Sequence, residues 1–101
     1  MNFGLKDEDL DELNNLFGRY PEVEKVIIFG SRAMGNYKKG SDVDLAITGK
    51  EVTQETINQI NYWLNEESSM PYFFDVIQYE QISNESLKQH IEENGYSLPL
   101  Y

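Results

Sequence analysis

Asp42 and Asp44 stand two apart in Asp42-Val43-Asp44-Leu45-Ala46-Ile47-Thr48, a segment with the β-branched, apolar character of a strand. Side chains alternate across a strand, so both carboxylates fall on one face and Val43, Leu45 and Ile47 on the other. Two residues of rise separate their backbones by roughly 6–7 Å, a gap that side-chain freedom closes onto a shared ion. A third carboxylate, Asp75, interrupts Tyr72-Phe73-Phe74-Asp75-Val76-Ile77. A charge there is costly unless it is paired, solvated at the strand end or bound to a cation. If the two strands are neighbours, about 4.8 Å apart, all three carboxylates converge. Without a cation they would raise one another's pKa values. Hard oxygen donors of this kind suit Mg²⁺ shared with substrate phosphates. The plain alternative is a set of strand-end aspartates facing water.

Gly30-Ser31 sharpens the choice. It follows the short β-branched run Val23-Glu24-Lys25-Val26-Ile27-Ile28-Phe29 and opens a polar, glycine-rich stretch that runs to Ser41. A glycine lets backbone N–H groups approach an anion, and a hydroxyl adds a donor. A phosphate turn and a carboxylate cluster at strand ends are the two halves of a metal–nucleoside triphosphate site. Other phosphate and metal motifs fail on inspection. Gly30 to Gly35 has the glycine spacing of a Walker A loop, but Asn36-Tyr37 stand where Lys and Ser/Thr are required. Asp42-x-Asp44-x-Ala46 lacks the third ligand of a calcium loop, and Arg32 occupies the middle position of a would-be dinucleotide fingerprint. His90, the single histidine, reads as a surface or half-buried helix residue, and Trp63 and the tyrosines as core and rim aromatics.

The elements that must position these residues follow from periodicity. Leu10, Leu13, Leu16 and Phe17 mark a helix over about 7–18, acidic in its first turn and ended by Gly18 and Pro21. Its acidic run reads as a solvated face, or alternatively as a docking surface for a basic partner. Strands are expected over 23–29, 42–48 and 72–77. Ile57, Ile60 and Leu64 mark a helix over about 53–66 with Thr53 as N-cap, and Ser83 can cap a last helix with Leu87 and Ile91 inward and Gly95 as its stop. The tail, Tyr96 to Tyr101, is expected to pack down.

Composition narrows the class. The 101 residues carry 8 Lys plus Arg against 18 Asp plus Glu, a formal charge of −10. That balance disfavours direct nucleic-acid binding, which depends on cations displacing phosphate counterions, and disfavours anionic membranes. With no cysteine there is no disulfide, zinc ribbon or thiol nucleophile. Neither a secretory leader nor a run of about 20 apolar residues is present, so the expectation is a cytoplasmic protein with one domain over residues 1–101.

Gly30-Ser31, ten intervening residues, Asp42-x-Asp44 and a later strand bearing Asp75 together resemble the minimal nucleotidyltransferases of the DNA polymerase beta superfamily. The stretch G-S-R-A-M-G-N-Y-K-K-G-S-D-V-D-L-A-I is similar to the signature of the small prokaryotic MNT-domain proteins that pair with HEPN proteins. The resemblance implies an α+β nucleotidyltransferase fold, with a small mixed sheet of about three strands flanked by about four helices. It implies transfer of a nucleoside monophosphate, AMP from ATP foremost, onto an acceptor hydroxyl. By position, Asp42, Asp44 and Asp75 would be catalytic and bind two Mg²⁺ ions, and Gly30, Ser31, Arg32 and Lys39 would bind the nucleotide phosphates. Lys38 shares the loop with Lys39. Family members often carry Arg or Lys where this chain has Met34. The resemblance also implies a HEPN-type toxin as partner, its tyrosine the acceptor, in a homo- or hetero-oligomer. Two alternatives stand beside it: a non-catalytic antitoxin that neutralises its toxin by contact, and a small-molecule nucleotidyltransferase of the aminoglycoside type.

Overall fold

The computed structural model describes residues 2–99, so Leu100 and Tyr101 of the tail lie outside the described residues. The first helix, α1 (Asp7–Phe17), buries Leu13, Leu16 and Phe17. Its acidic run is not uniformly solvated: Asp9 is buried, and its Oδ2 accepts from the Lys6 N–H at 3.0 Å and the Tyr72 hydroxyl at 2.8 Å. That bond back to the residue before the helix satisfies one of the donors every helix start leaves open. Strand β1 (Lys25–Phe29) follows, then a single helical turn, α2 (Ser31–Met34), inside the glycine-rich stretch, then β2 (Val43–Thr48).

Helix α3 (Gln54–Tyr62) begins where expected, the Thr53 hydroxyl accepting from the Thr56 N–H at 3.2 Å. Its predicted last turn is wound as a π-helix over Trp63–Glu67, which still buries Leu64. Strand β3 (Phe74–Gln78) leads through a 3₁₀ turn to α4 (Glu85–Asn94). The cap of α4 is Asn84 rather than the expected Ser83: the Asn84 Oδ1 accepts from the Leu87 N–H at 3.1 Å. The helix stops at Gly95 as expected, and the tail then adds a fourth strand, β4 (Tyr96–Ser97), that the sequence pattern did not show.

The sheet is mixed, in the order β3-β2-β1-β4. β1 runs antiparallel to β2 and to β4, whereas β2 and β3 are parallel, joined by the α3 crossover. One face packs Val26, Ile28, Val43, Leu45, Ile47, Phe74 and Val76 against α1 and α3 in the main core. The other face is thinner: Phe29, Ala46 and Ile91 form a small buried cluster with Ile27, Ile77 and Leu87 under α4. Every residue of β2 except Asp44 and Thr48 is buried. Among the described residues no helix is long and apolar enough to cross a membrane.

Candidate active site

Register assembles the carboxylates. Asp44 of β2 lies directly beside Asp75 of parallel β3, and Phe29 of β1 pairs with Asp44 from the other side. The pairing of Val43 with Phe74 carries Asp42, one residue before β2, to the same end of the sheet and, by alternation, to the same face. Helix α4 covers that face at Ala46 and Ile77 and leaves the Asp44–Asp75 end open. Asp42 and Asp75 are exposed and Asp44 half-buried.

Burial first, then the carboxylates of Asp75 and Asp42, push the Asp44 carboxyl above its ordinary value, with His90 pulling the other way. This mutual repulsion, in a set of hard oxygen donors, is the electrostatic condition a hard divalent cation relieves. Among the described residues no three His, Asp or Glu side chains already close around a common point. Asp42 and Asp75, facing solvent, have the freedom to turn inward, so the donor set fits such an ion by chemistry and by reach.

The chain leaves β1 through Gly30, whose φ of +75° and ψ of −153° belong to a region glycine alone occupies readily. A Cβ there would also collide with the Asp44 carboxylate oxygen. A side chain at residue 30 would require the Asp44 carboxylate to turn away. The Gly30 N–H donates to His90 Nε2 at 3.1 Å, and the imidazole stands edge-on to Phe29 with centroids 6.1 Å apart. The other ring nitrogen, Nδ1, lies 3.4 Å from Asn94 Nδ2. The sequence placed His90 on a helix but carried no sign of this contact, which spans 60 residues of chain.

The expected phosphate ligands separate. Ser31 begins α2 directly after Gly30, half-buried. Arg32 is only 3% exposed, its guanidinium committed to backbone: Nε and Nη2 donate to the Ser41 carbonyl at 3.1 and 2.8 Å, and Nη1 to the Phe3 carbonyl at 3.0 Å. The carboxylates that act on Asp44 are those of Asp75 and Asp42. Lys38 and Lys39 are exposed in the loop, as is Met34. Arg32 therefore ties the loop to the segment before α1, and the structure does not bring it to the carboxylates.

The model of the polymerase beta nucleotidyltransferase family matches residues 11–99 of the chain. No curated protein matches it. Among solved structures, a toxin–antitoxin complex with AMP-PNP contains a chain with the same fold at TM-score 0.72 and 18% identity, the match covering 95% of this chain and 75% of that one. A double aspartate-to-glutamate mutant of the MntA–HpeT toxin–antitoxin pair gives TM-score 0.72 at 16% identity, covering 91% and 73%. The tri-AMPylated HEPN toxin in complex with MNT antitoxin from Shewanella oneidensis gives TM-score 0.69 at 15% identity, covering 96% and 74%. At these identities the likeness is one of fold.

Proposed function

Because this chain belongs to the polymerase beta nucleotidyltransferase family, we propose that it moves AMP from ATP onto a hydroxyl of a HEPN-type toxin and silences it as its antitoxin, acting as one domain over its whole length. The observation that carries this reading is the register pair Asp44–Asp75 at the open end of the sheet, with Asp42 beside it and the Gly30–Ser31 turn against it. The structural neighbours include antitoxin complexes, one with an ATP analogue and one with an AMPylated toxin. They support the partner and the group transferred.

Asp42, Asp44 and Asp75 are the residues that would hold Mg²⁺, which when bound neutralises phosphate charge and activates the attacking oxygen. The remaining work falls to the chain itself. Gly30 and Ser31 orient the β- and γ-phosphates through backbone N–H and hydroxyl donors. Asp75, exposed on the outermost strand, meets the acceptor and takes the proton of its hydroxyl. The acceptor oxygen forms a bond to the α-phosphorus while the bond from that phosphorus to pyrophosphate breaks, leaving AMP on the acceptor and pyrophosphate free. Catalysis of this kind is mostly positioning and charge neutralisation.

One observation favours the contact-only reading: the Gly30 N–H, a donor the triphosphate would use, is already taken by His90. Calorimetric titration of ATP separates the two. Magnesium-dependent binding that is lost in EDTA and in Asp42→Asn supports transfer. Absence of binding, both in the isolated chain and in its toxin complex, leaves neutralisation by contact.

A further inference from the structure

Half of the chain's cations gather at one place. Lys6, Arg32, Lys38 and Lys39, four of 8 Lys plus Arg, line a cavity of about 370 Å³ together with Tyr37 and Tyr72. Among the described residues no carboxylate lines it, although the chain carries 18 Asp plus Glu. Neither do Gly30, Ser31, Asp42, Asp44 or Asp75, so this is not the site described above.

Its inner wall is Arg32. A guanidinium has five N–H donors, and among the described residues three bonds to the Ser41 and Phe3 carbonyls leave two unused. The rings of Tyr37 and Tyr72 flank the guanidinium at 5.2 and 4.9 Å from its central carbon. Among the described residues no Asp or Glu hydrogen-bonds it. The carboxylate behind Tyr72, Asp9, spends its Oδ2 on the Tyr72 hydroxyl and the Lys6 N–H. The guanidinium is thus held by two carbonyl oxygens and two ring faces, with no carboxylate bonded to it among the described residues. Planar forks of this kind favour carboxylate and phosphate oxygens, and three flexible ammonium groups at the rim add the point charges that phosphate takes up.

We propose that this cavity is a second anion site, taking a small phosphoryl oxyanion without a metal. The oxyanion is either inorganic (phosphate or pyrophosphate) or the phosphate of a mononucleotide. The inference stands apart from the proposed transfer reaction, since it needs neither the carboxylates nor Mg²⁺.

The test is calorimetric titration of phosphate, pyrophosphate and AMP into the full chain in EDTA, for wild type, Lys6→Gln/Lys39→Gln and Ser31→Ala. Saturable binding in wild type and Ser31→Ala, weakened at least about tenfold in the lysine double variant, is expected. AMP binding at least as tight as phosphate identifies the nucleotide as the source, and a preference for phosphate or pyrophosphate identifies the inorganic ion. No saturable binding in wild type, equal binding in the double variant, or loss of binding in Ser31→Ala would each overturn the proposal, the last by placing the ion at the Gly30 turn. Amide shifts on adding pyrophosphate give a readout that needs no variant: Gly4 and Gly40 should move and Gly30 should not, and the reverse pattern sinks the assignment.

Discussion

The two faces of the sheet are built from alternate residues of the same strands, yet they are finished differently. On the α1–α3 face, Val43, Leu45, Ile47, Phe74 and Val76 are closed over by two helices and reach almost no solvent. On the α4 face the intervening positions run from Ala46 and Ile77, covered, to Asp44 and Asp75, open. One parity of residues holds the fold together and the other is left free for chemistry. On the proposed reading, stability and function separate over a single position along β2.

The largest effect expected from breaking that separation is Leu45→Ala. A fully buried leucine lost to a cavity costs about 2–5 kcal/mol, a fall in Tm on the order of 10 °C or more in a domain this size, read by thermal melting. Its neighbour Asp44, one residue away, should show no such loss. Next is Gly30→Ala, where a positive φ and a collision with Asp44 combine to cost about 1–3 kcal/mol and to abolish ATP binding. Gly35→Ala is the control, since its φ is also positive but a Cβ there meets nothing within 4 Å. Loss of ATP binding in Gly35→Ala as well would trace the effect to backbone strain along this stretch instead of the contact with Asp44.

Smaller again is His90→Ala, which strands the Gly30 N–H at a cost of about 1 kcal/mol. His90→Gln, able to accept the same bond, should recover most of it in the same melts. If both variants melt alike, the bond contributes nothing to the turn.

The smallest effect has the opposite sign. Because the Asp44 carboxyl is raised above its ordinary 3.8 in the fold, the folded chain holds that proton more tightly than the unfolded one. The stabilisation this gives is full below about that value and is lost as pH climbs through the raised one. At neutral pH without metal, the ionised Asp44 is thus a burden. Asp44→Asn should melt a few degrees higher, about 1–4 °C given solvent screening of a half-exposed group, while abolishing transfer. The gain should vanish in acid; a drop in Tm at neutral pH would mark Asp44 as a structural residue.

Much of this was legible in the chain. Alternation alone assigned Val43, Leu45 and Ile47 to one face and Asp42 and Asp44 to the other, and an aspartate amid Phe73, Phe74, Val76 and Ile77 marked a place where a charge needs a partner, solvent or a cation. The Thr53 cap and the Gly95 stop are local chemistry, and local chemistry reads well. What failed to show has physical reasons. Strand β4 is two exposed residues, too short to alternate, and exists only because β1 offers an edge. Ser83 and Asn84 are equally good caps, so composition alone does not choose between them. Arg32 follows Gly30-Ser31 in the chain, but the carbonyls of Phe3 and Ser41 that bury it come from elsewhere in the fold, so its place at the second cavity and not beside the carboxylates does not show in the sequence. His90 acts on Gly30 across 60 residues, and no short-range pattern encodes that.

Asp75 has one more consequence, for solubility. It sits on β3, an edge of the sheet, in the segment Tyr72-Phe73-Phe74-Asp75-Val76-Ile77, with Phe73 56% exposed. Without its charge, that stretch is a short, aromatic and β-branched strand with an unpaired side, the form that recruits a second copy edge to edge. A lone carboxylate in the middle is a gatekeeper of the kind that keeps such edges apart. The charge of the residue proposed to receive the acceptor's proton thus also opposes edge-to-edge pairing at β3, and activity lost in an Asp75 variant has to be read together with its state of association.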